Sequence, residues 1–281
     1  GFELRGDLRD ILFLAAAKPA VLVGSAVRGG AGLLDYNVAQ DAHAHQVLNA
    51  AAIAAAGAST GFPGSDGRPG AVDTLAPVQR GPREVRPPKL YLTPAHRAKA
   101  RALLPDGGSI IALHLGAGFP SKQLPLTMVA AAAASLRYRD PQRRFVVVGG
   151  PEDQPLVNAF RQHIPDGVMS LAGQLSLLET AAVLERSRLF MGNDSAPMHL
   201  AAAVGVPIIA WFGPSEPWRF RPYGVPHHLM EVDLDCRPCD YIHCIWPEGQ
   251  KYQCMTRQDV QAIVAAAEDL LRIPLPPTGA G

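Results

Sequence analysis

The sequence predicts an α/β protein built on parallel strands with helices on both faces. Two observations predict it. From about residue 94 onward, continuous apolar runs alternate with amphipathic segments of helical period. The runs end in polar turns, several of them rich in glycine, at the sheet edge where ligands of such folds bind. With 281 residues, 48% apolar and 18% charged, the chain can bury a sizeable core and hold two domains of ordinary size.

Residues 8–17 carry a helical pattern, 20–24 read as a short buried strand, and 41–57 as helix again. Residues 62–88 turn to Pro, Gly, Arg and Ser without periodicity, the composition of a linker or mobile loop. This places one domain over 1–92 and a second over 93–272. The second opens with a helix at 94–104, a strand at 109–115, a Gly-rich turn at 116–124 and a helix at 125–138. A strand at 144–148 ends in Gly149-Gly150-Pro151 and runs into a helix at about 153–163. A short strand near 168–171, a helix at 176–186 and a strand at 188–191 come next. A helix at 195–203 and a strand at 207–212 follow, and a last helix at about 257–272 precedes a Pro/Gly tail, 273–281, expected to be disordered.

A net charge of +1 argues against a dedicated nucleic-acid binder, which would present a basic face. The Ala-rich runs at 50–56 and 129–134 are too short to span a bilayer, and no secretory signal is visible at the start. The chain opens with Gly rather than Met, so part of the N-terminus is expected to be missing.

The most informative stretch runs from Phe190 to Gly213 and reads as strand end, tight polar turn, short helix and second strand. Asn193, Asp194, Ser195 and His199 fall at the turn and the first helical turn. Free backbone N–H groups and the helix dipole favour an anion there, and a carboxylate beside it suits a ligand with hydroxyls and phosphates. An Asp or Ser simply capping the helix is the plainer alternative. The turn from His114 to Pro125 holds Gly116, Gly118 and Lys122, which suit close approach of a diphosphate. The P-loop spacing is absent, and an ordinary strand–helix turn explains the glycines equally well. Glu152 and Asp153 follow the next strand; they can accept ribose hydroxyls or merely complement a helix dipole. Ser176 and Glu179 have capping-box spacing, with Leu175 beside them able to pack on a purine.

All four cysteines, Cys236, Cys239, Cys244 and Cys254, lie in one excursion over 236–254. The C-x2-C pair plus two further thiols fits a tetrathiolate site for structural zinc or iron. Disulfides or reduced thiols are the competing readings, the first disfavoured in a cytosolic chain.

Together the motifs resemble the heptosyltransferase family, glycosyltransferase family 9, from the chain start to about residue 272. They are most specific at 114–122 and 187–217, notably Gly192–His199 followed by Phe212-Gly-Pro-Ser-Glu-Pro217. The resemblance implies a GT-B fold of two Rossmann-like domains and an inverting transfer of heptose from ADP-heptose to a lipopolysaccharide inner-core acceptor. It implies no catalytic metal, and a cytoplasmic location at the inner face of the inner membrane. Four-cysteine clusters hold a metal in some relatives. By position, Lys122 holds the donor diphosphate with Ala117, Gly118 and Ser121, Glu152 takes the ribose, and Leu175 lines the adenine slot. Asp194 holds donor-sugar hydroxyls, and Ser195, Ala196 and His199 cradle phosphates beside Gly192. Lys122 and Asp194 are the expected catalytic pair.

Three departures qualify the resemblance. His114-Leu115-Gly116-Ala117 stands where His-Pro-Gly-Ala is usual. Residues 1–19 resemble a later element of the N-terminal, acceptor-side domain, so that domain is expected to be truncated and its general base absent. The loop at 62–88 is longer and richer in Pro than the family's. The same fold with another sugar or a protein acceptor, or a non-catalytic nucleotide-sugar-binding remnant, are the alternative functions. The reading requires the Lys122 turn and the helix start at Ser195 to meet in one pocket.

Overall fold

The computed structural model of the chain describes residues 23–24, 36–37, 44–59, 87–104, 109–164 and 166–274. Two units divide at Arg86 and Pro87. In the first, β1 (Val23–Gly24) pairs in parallel with β2 (Tyr36–Asn37), and α1 (Gln46–Ser59) follows. The start of α1 lies later than the expected residue 41 because the His45 imidazole accepts the Val47 N–H at 3.1 Å and supplies a cap. The expected helix at 8–17, most of the 62–88 linker and the end of the tail lie outside the described residues.

The second unit contains α2 (Pro94–Leu103), β3 (Ile110–His114), α3 (Leu126–Arg139), β4 (Arg144–Val147), α4 (Gln154–His163) and β5 (Val168–Ser170). After these come α5 (Leu177–Glu185), β6 (Leu189–Asn193), α6 (Ala196–Ala203), β7 (Ile208–Trp211), α7 (Pro217–Phe220) and β8 (His227–Met230). The short α8 (Gln253–Thr256) and the long α9 (Val260–Arg272) close it. The sheet is parallel throughout, in the order β5-β4-β3-β6-β7-β8. Its chain path runs outward in one direction from β3 and in the other from β6, so a crevice opens at their carboxyl ends. There His114 and Gly192 lie side by side in the ladder.

Apolar layers cover both faces, as continuous apolar strands require. One is formed by Leu113, Phe145 and Trp211 against Leu136, Phe160 and Val264 of α3, α4 and α9. The other sets Val146, Phe190 and Phe212 against Ala100, Leu184 and Met198 of α2, α5 and α6. Local signals fix the helix ends. The Ser176 hydroxyl accepts the Glu179 N–H at 3.4 Å while Glu179 Oε2 accepts the Ser176 N–H at 2.7 Å, so the capping box is structural. The Asp259 carboxylate accepts the Gln261 N–H at 2.8 Å to start α9. The edge strand β8 and the short α7 have no counterpart among the sequence expectations. Half-buried His-His-Leu-Met shows neither a continuous apolar run nor clean alternation.

Candidate active site

A cavity of about 500 Å³ opens at the crevice between β3 and β6. Its floor is the turn after β3, tied down from the neighbouring strand. Asn193, buried at the end of β6, donates from Nδ2 to the carbonyls of Leu115 (3.2 Å) and Gly116 (2.8 Å). Its Oδ1 accepts the Leu124 N–H at 2.9 Å, so one amide staples both ends of the loop. Sequence reasoning placed Asn193 at the turn but gave it no role; its three bonds bridge 69 to 78 residues of chain.

Within that loop Lys122 ends a 3-10 turn, Pro120–Lys122. Its ammonium lies 2.7 Å from Asp194 Oδ2 and within 6 Å of the Phe119 and Phe220 rings, at 5.7 and 5.9 Å from their centroids. Asp194 Oδ2 also accepts the Ser215 hydroxyl at 2.6 Å. A cation, a carboxylate and a hydroxyl are thereby locked together at the cavity wall, before any ligand enters.

Ser195 precedes α6 in extended backbone, and its side chain does not cap the helix. Its Oγ lies 3.0 Å from His114 Nδ1 and donates toward the Asn193 carbonyl at 3.1 Å. At the start of α6 Pro197 has no N–H and the Met198 N–H donates to the Ser195 carbonyl at 3.1 Å. The Ser195 and Ala196 N–H groups are therefore the ones the helix leaves without an intrahelical partner, and Ser195, Ala196 and Pro197 line the cavity.

On the β4 side, Asp153 stands at the N-cap position of α4 and is buried there. Its Oδ2 accepts the Gly150 N–H at 2.9 Å and stands 3.3 Å from His114 Nε2. Burial pushes this carboxyl up, but the hydrogen bond and charge of His114 and the Gly150 N–H together hold it below its ordinary value. A Cβ on Gly116 or Gly149 would collide with this carboxylate. Those two glycines therefore make room for Asp153. Gly118 differs: a Cβ there would meet nothing within 4 Å, so no protein atom requires the glycine.

Of the expected site residues, Ala117, Gly118, Lys122, Glu152, Leu175, Asp194, Ser195 and Ala196 line this one cavity. Lys122 and Ser195 thus share a pocket. Leu175 joins Leu177 and Leu200 in an apolar stretch of its lining. Ser121, Gly192 and His199 are placed elsewhere. The Ser121 hydroxyl donates to the Tyr241 carbonyl at 2.6 Å. Gly192 is buried against the Phe190 ring and His114, and His199 is exposed on α6. Asp153 lines the cavity beside Glu152, and His114 lines it without having been assigned to it.

The four cysteines line a second cavity of about 610 Å³ and are all free and half-buried. Burial pushes the Cys254 thiol up to about 11; Arg237 pulls it down, and Cys239, Cys236 and Cys244 add to the rise. No group of three or more His, Cys, Asp or Glu among the described residues is arranged to hold a metal ion. This loop is fastened to the crevice. The Arg237 guanidinium donates to the carbonyls of Gly213, Phe212 and Val232, and the Cys239 and Asp240 N–H groups donate to the Pro214 carbonyl.

Comparison with known proteins follows the same lines. The chain is 27% identical over 175 residues to lipooligosaccharide heptosyltransferase 2 of Campylobacter jejuni, covering 60% of this chain and 53% of that protein. It is 32% identical over 142 residues to lipooligosaccharide heptosyltransferase 2 of Haemophilus influenzae, covering 46% and 40%. The chain thus spans about half the length, or less, of these curated relatives. The solved structure of E. coli ADP-heptose lps heptosyltransferase II superposes with a TM-score of 0.69 at 20% identity, over 96% of this chain and 75% of that one. Its fold is shared, as the two-unit GT-B reading expects. With the family model for glycosyltransferase family 9 (heptosyltransferase) matching residues 12–248, the chain belongs to that family.

Proposed function

We propose that the chain is an inverting glycosyltransferase that moves heptose from ADP-heptose to a lipopolysaccharide inner-core acceptor. One observation carries this reading: Lys122, Asp194 and the start of α6 converge on a single cavity at the sheet's crevice. An acceptor hydroxyl gives up its proton to a general-base carboxylate and attacks the anomeric carbon, the bond to the β-phosphate oxygen breaks, and its electron pair leaves with ADP. Negative charge grows on the diphosphate. Lys122 and the Ser195 and Ala196 N–H groups stand ready to stabilise it. Asp194, steadied by Ser215, accepts sugar hydroxyls, Glu152 accepts from the ribose, and Leu175 packs against adenine. Gly118, which no protein neighbour demands, leaves its backbone open to the phosphates. The relatives' names support this chemistry for those proteins, and the carry-over to this chain is our reading.

The four thiols are proposed to hold one structural zinc or iron. Their chemistry suits such an ion, and all four line one cavity. The loop must draw together to complete a coordination shell, because no such grouping is arranged among the described residues. We further place the protein at the cytoplasmic face of the inner membrane, where its proposed acceptor is built. No helix among the described residues is long and apolar enough to cross a membrane. The test is direct: purified chain incubated with ADP-heptose and an inner-core acceptor should release ADP and form the extended glycan. Binding without transfer would favour a nucleotide-sugar-binding remnant, and absence of binding would end the donor-site reading.

A further inference from the structure

Asn193 fastens the two ends of the loop after β3, but the stretch that carries Lys122 lies between those staples. From Ala117 to Gln123, two hydrogen bonds leave this stretch for other described residues. One is the Lys122 ammonium on Asp194 at 2.7 Å, an ammonium for which a bound diphosphate would compete. The other is the Ser121 hydroxyl, only 3% exposed, which donates to the Tyr241 carbonyl at 2.6 Å. The Lys122 and Gln123 N–H groups turn back within the stretch, onto the Phe119 and Pro120 carbonyls. Tyr241 belongs to the cysteine-bearing excursion, whose place is set from the far side of the site. The Cys239 and Asp240 N–H groups donate to the Pro214 carbonyl at 2.9 and 3.0 Å. Ser215, the next residue, donates to Asp194 Oδ2 at 2.6 Å. These bonds close a ring that runs from Lys122 through Asp194 and Ser215 to the excursion, and back through Tyr241 and Ser121. A Cβ on Gly213 would collide with Met255, so the turn before Ser215 also lies flush against the excursion's end.

We propose that Ser121 is a positioning residue for the transfer: it makes the cysteine-bearing excursion one side of a hydrogen-bonded ring that fixes where the Lys122 ammonium stands. The inference rests on the reading of Lys122 as the cation that stabilises the leaving diphosphate. The need for such a clasp arises when ligand binds. Lysine is a compact charge on a flexible four-carbon stem. Phosphate oxygens that draw the ammonium off Asp194 remove one of the two bonds that tether the stretch, and the Ser121 bond is then the one that stays. A fixed base under a flexible arm limits the volume the charge explores. Electrostatic stabilisation requires the cation in place before charge develops, and a misplacement of about 1 Å can slow turnover about 10²-fold. In this role Ser121 touches neither donor nor acceptor, since its single hydroxyl hydrogen is committed to a backbone carbonyl.

The experiment is a kinetic double-substitution cycle on the intact chain, with ADP-heptose, an inner-core acceptor and ADP release as the signal. Ser121→Ala should lower kcat about tenfold and change KM for ADP-heptose by less than about threefold, because the Ser195 and Ala196 N–H groups that hold the ground state are untouched. Ser121→Thr, which keeps the hydroxyl, should recover most of the lost rate. In a Lys122→Ala background, Ser121→Ala should slow turnover by less than about twofold more, because the group it positions is gone. A general supporting role would slow both backgrounds alike. Urea midpoints taken on every variant establish that folded protein is being assayed. An unchanged kcat in Ser121→Ala, or equal slowing with and without Lys122, overturns the inference while leaving the donor site standing. Absence of turnover in wild type removes the transferase reading, and the inference with it.

Discussion

Around the crevice, the polar side chains hold one another: Lys122 on Asp194, Ser215 on Asp194, Ser195 on Asn193, and Asn193 on the loop that carries Lys122. In the cysteine-rich excursion the four thiols are free, and Ile242, Ile245 and Trp246 stand half or more exposed or nearly so. The first region is arranged before its ligand arrives, which is the condition for electrostatic stabilisation without reorganisation at the moment of reaction. The second has its order supplied from outside, by backbone bonds to the crevice and, in our proposal, by a metal. Pre-organisation is thus local, and the two neighbouring cavities differ in how much of it they contain.

The comparison breaks first at Asp153. Asp153→Ala should destabilise the second unit by about 3–5 kcal/mol in urea unfolding, because it strands a buried histidine and a backbone N–H. Glu152→Ala, exposed next door, should cost under about 0.5 kcal/mol. Equal effects would show that the crevice is not internally braced. Next in size, Lys122→Ala should slow ADP release from ADP-heptose by about 10²–10³-fold in a steady-state assay.

Acid sharpens the contrast further. Asp153 sits below its ordinary value for the reasons given above, and Glu268 does so through its hydrogen bonds to Arg143 at 2.6 and 2.8 Å. A carboxyl lowered on folding contributes stability that is present above its unfolded value, about 4, and lost as pH falls through the folded value. Stability of the sheet should therefore decline below about pH 4, and Glu268→Gln should flatten part of that slope in urea midpoints measured from neutrality downward. The smallest effect on the sheet belongs to the thiols. Cys254→Ser should lower bound zinc or iron from about one per chain, read by elemental analysis, while shifting the unfolding midpoint little. A large loss of stability there would make the excursion part of the core.

Most of the second unit was legible because parallel strands buried on both faces advertise themselves as unbroken apolar runs. Helices with sequence-coded starts, such as Ser176 with Glu179, were legible for the same kind of local reason. The site was legible wherever function concentrates at a strand end, which brought out Lys122, Asp194 and Ser195 together. What escaped depended on partners far along the chain. Ser121 looked like a ligand contact, but its hydroxyl is taken by the Tyr241 carbonyl, 120 residues away. Asp153 read as a ribose or helix-dipole residue and does stand at the N-cap of α4, but nothing local says that two glycines on separate turns open a buried slot for it. Nor did β8 announce itself, because an edge strand needs apolar contact on fewer sides.

Arg237 has a practical consequence for anyone reshaping this protein. Its guanidinium grips the carbonyls of Phe212 and Gly213, immediately upstream of the serine that steadies Asp194. Excising the excursion to obtain a smaller expression target would also unpin that serine. A shortened version must keep this arginine, or supply another donor to the same two carbonyls.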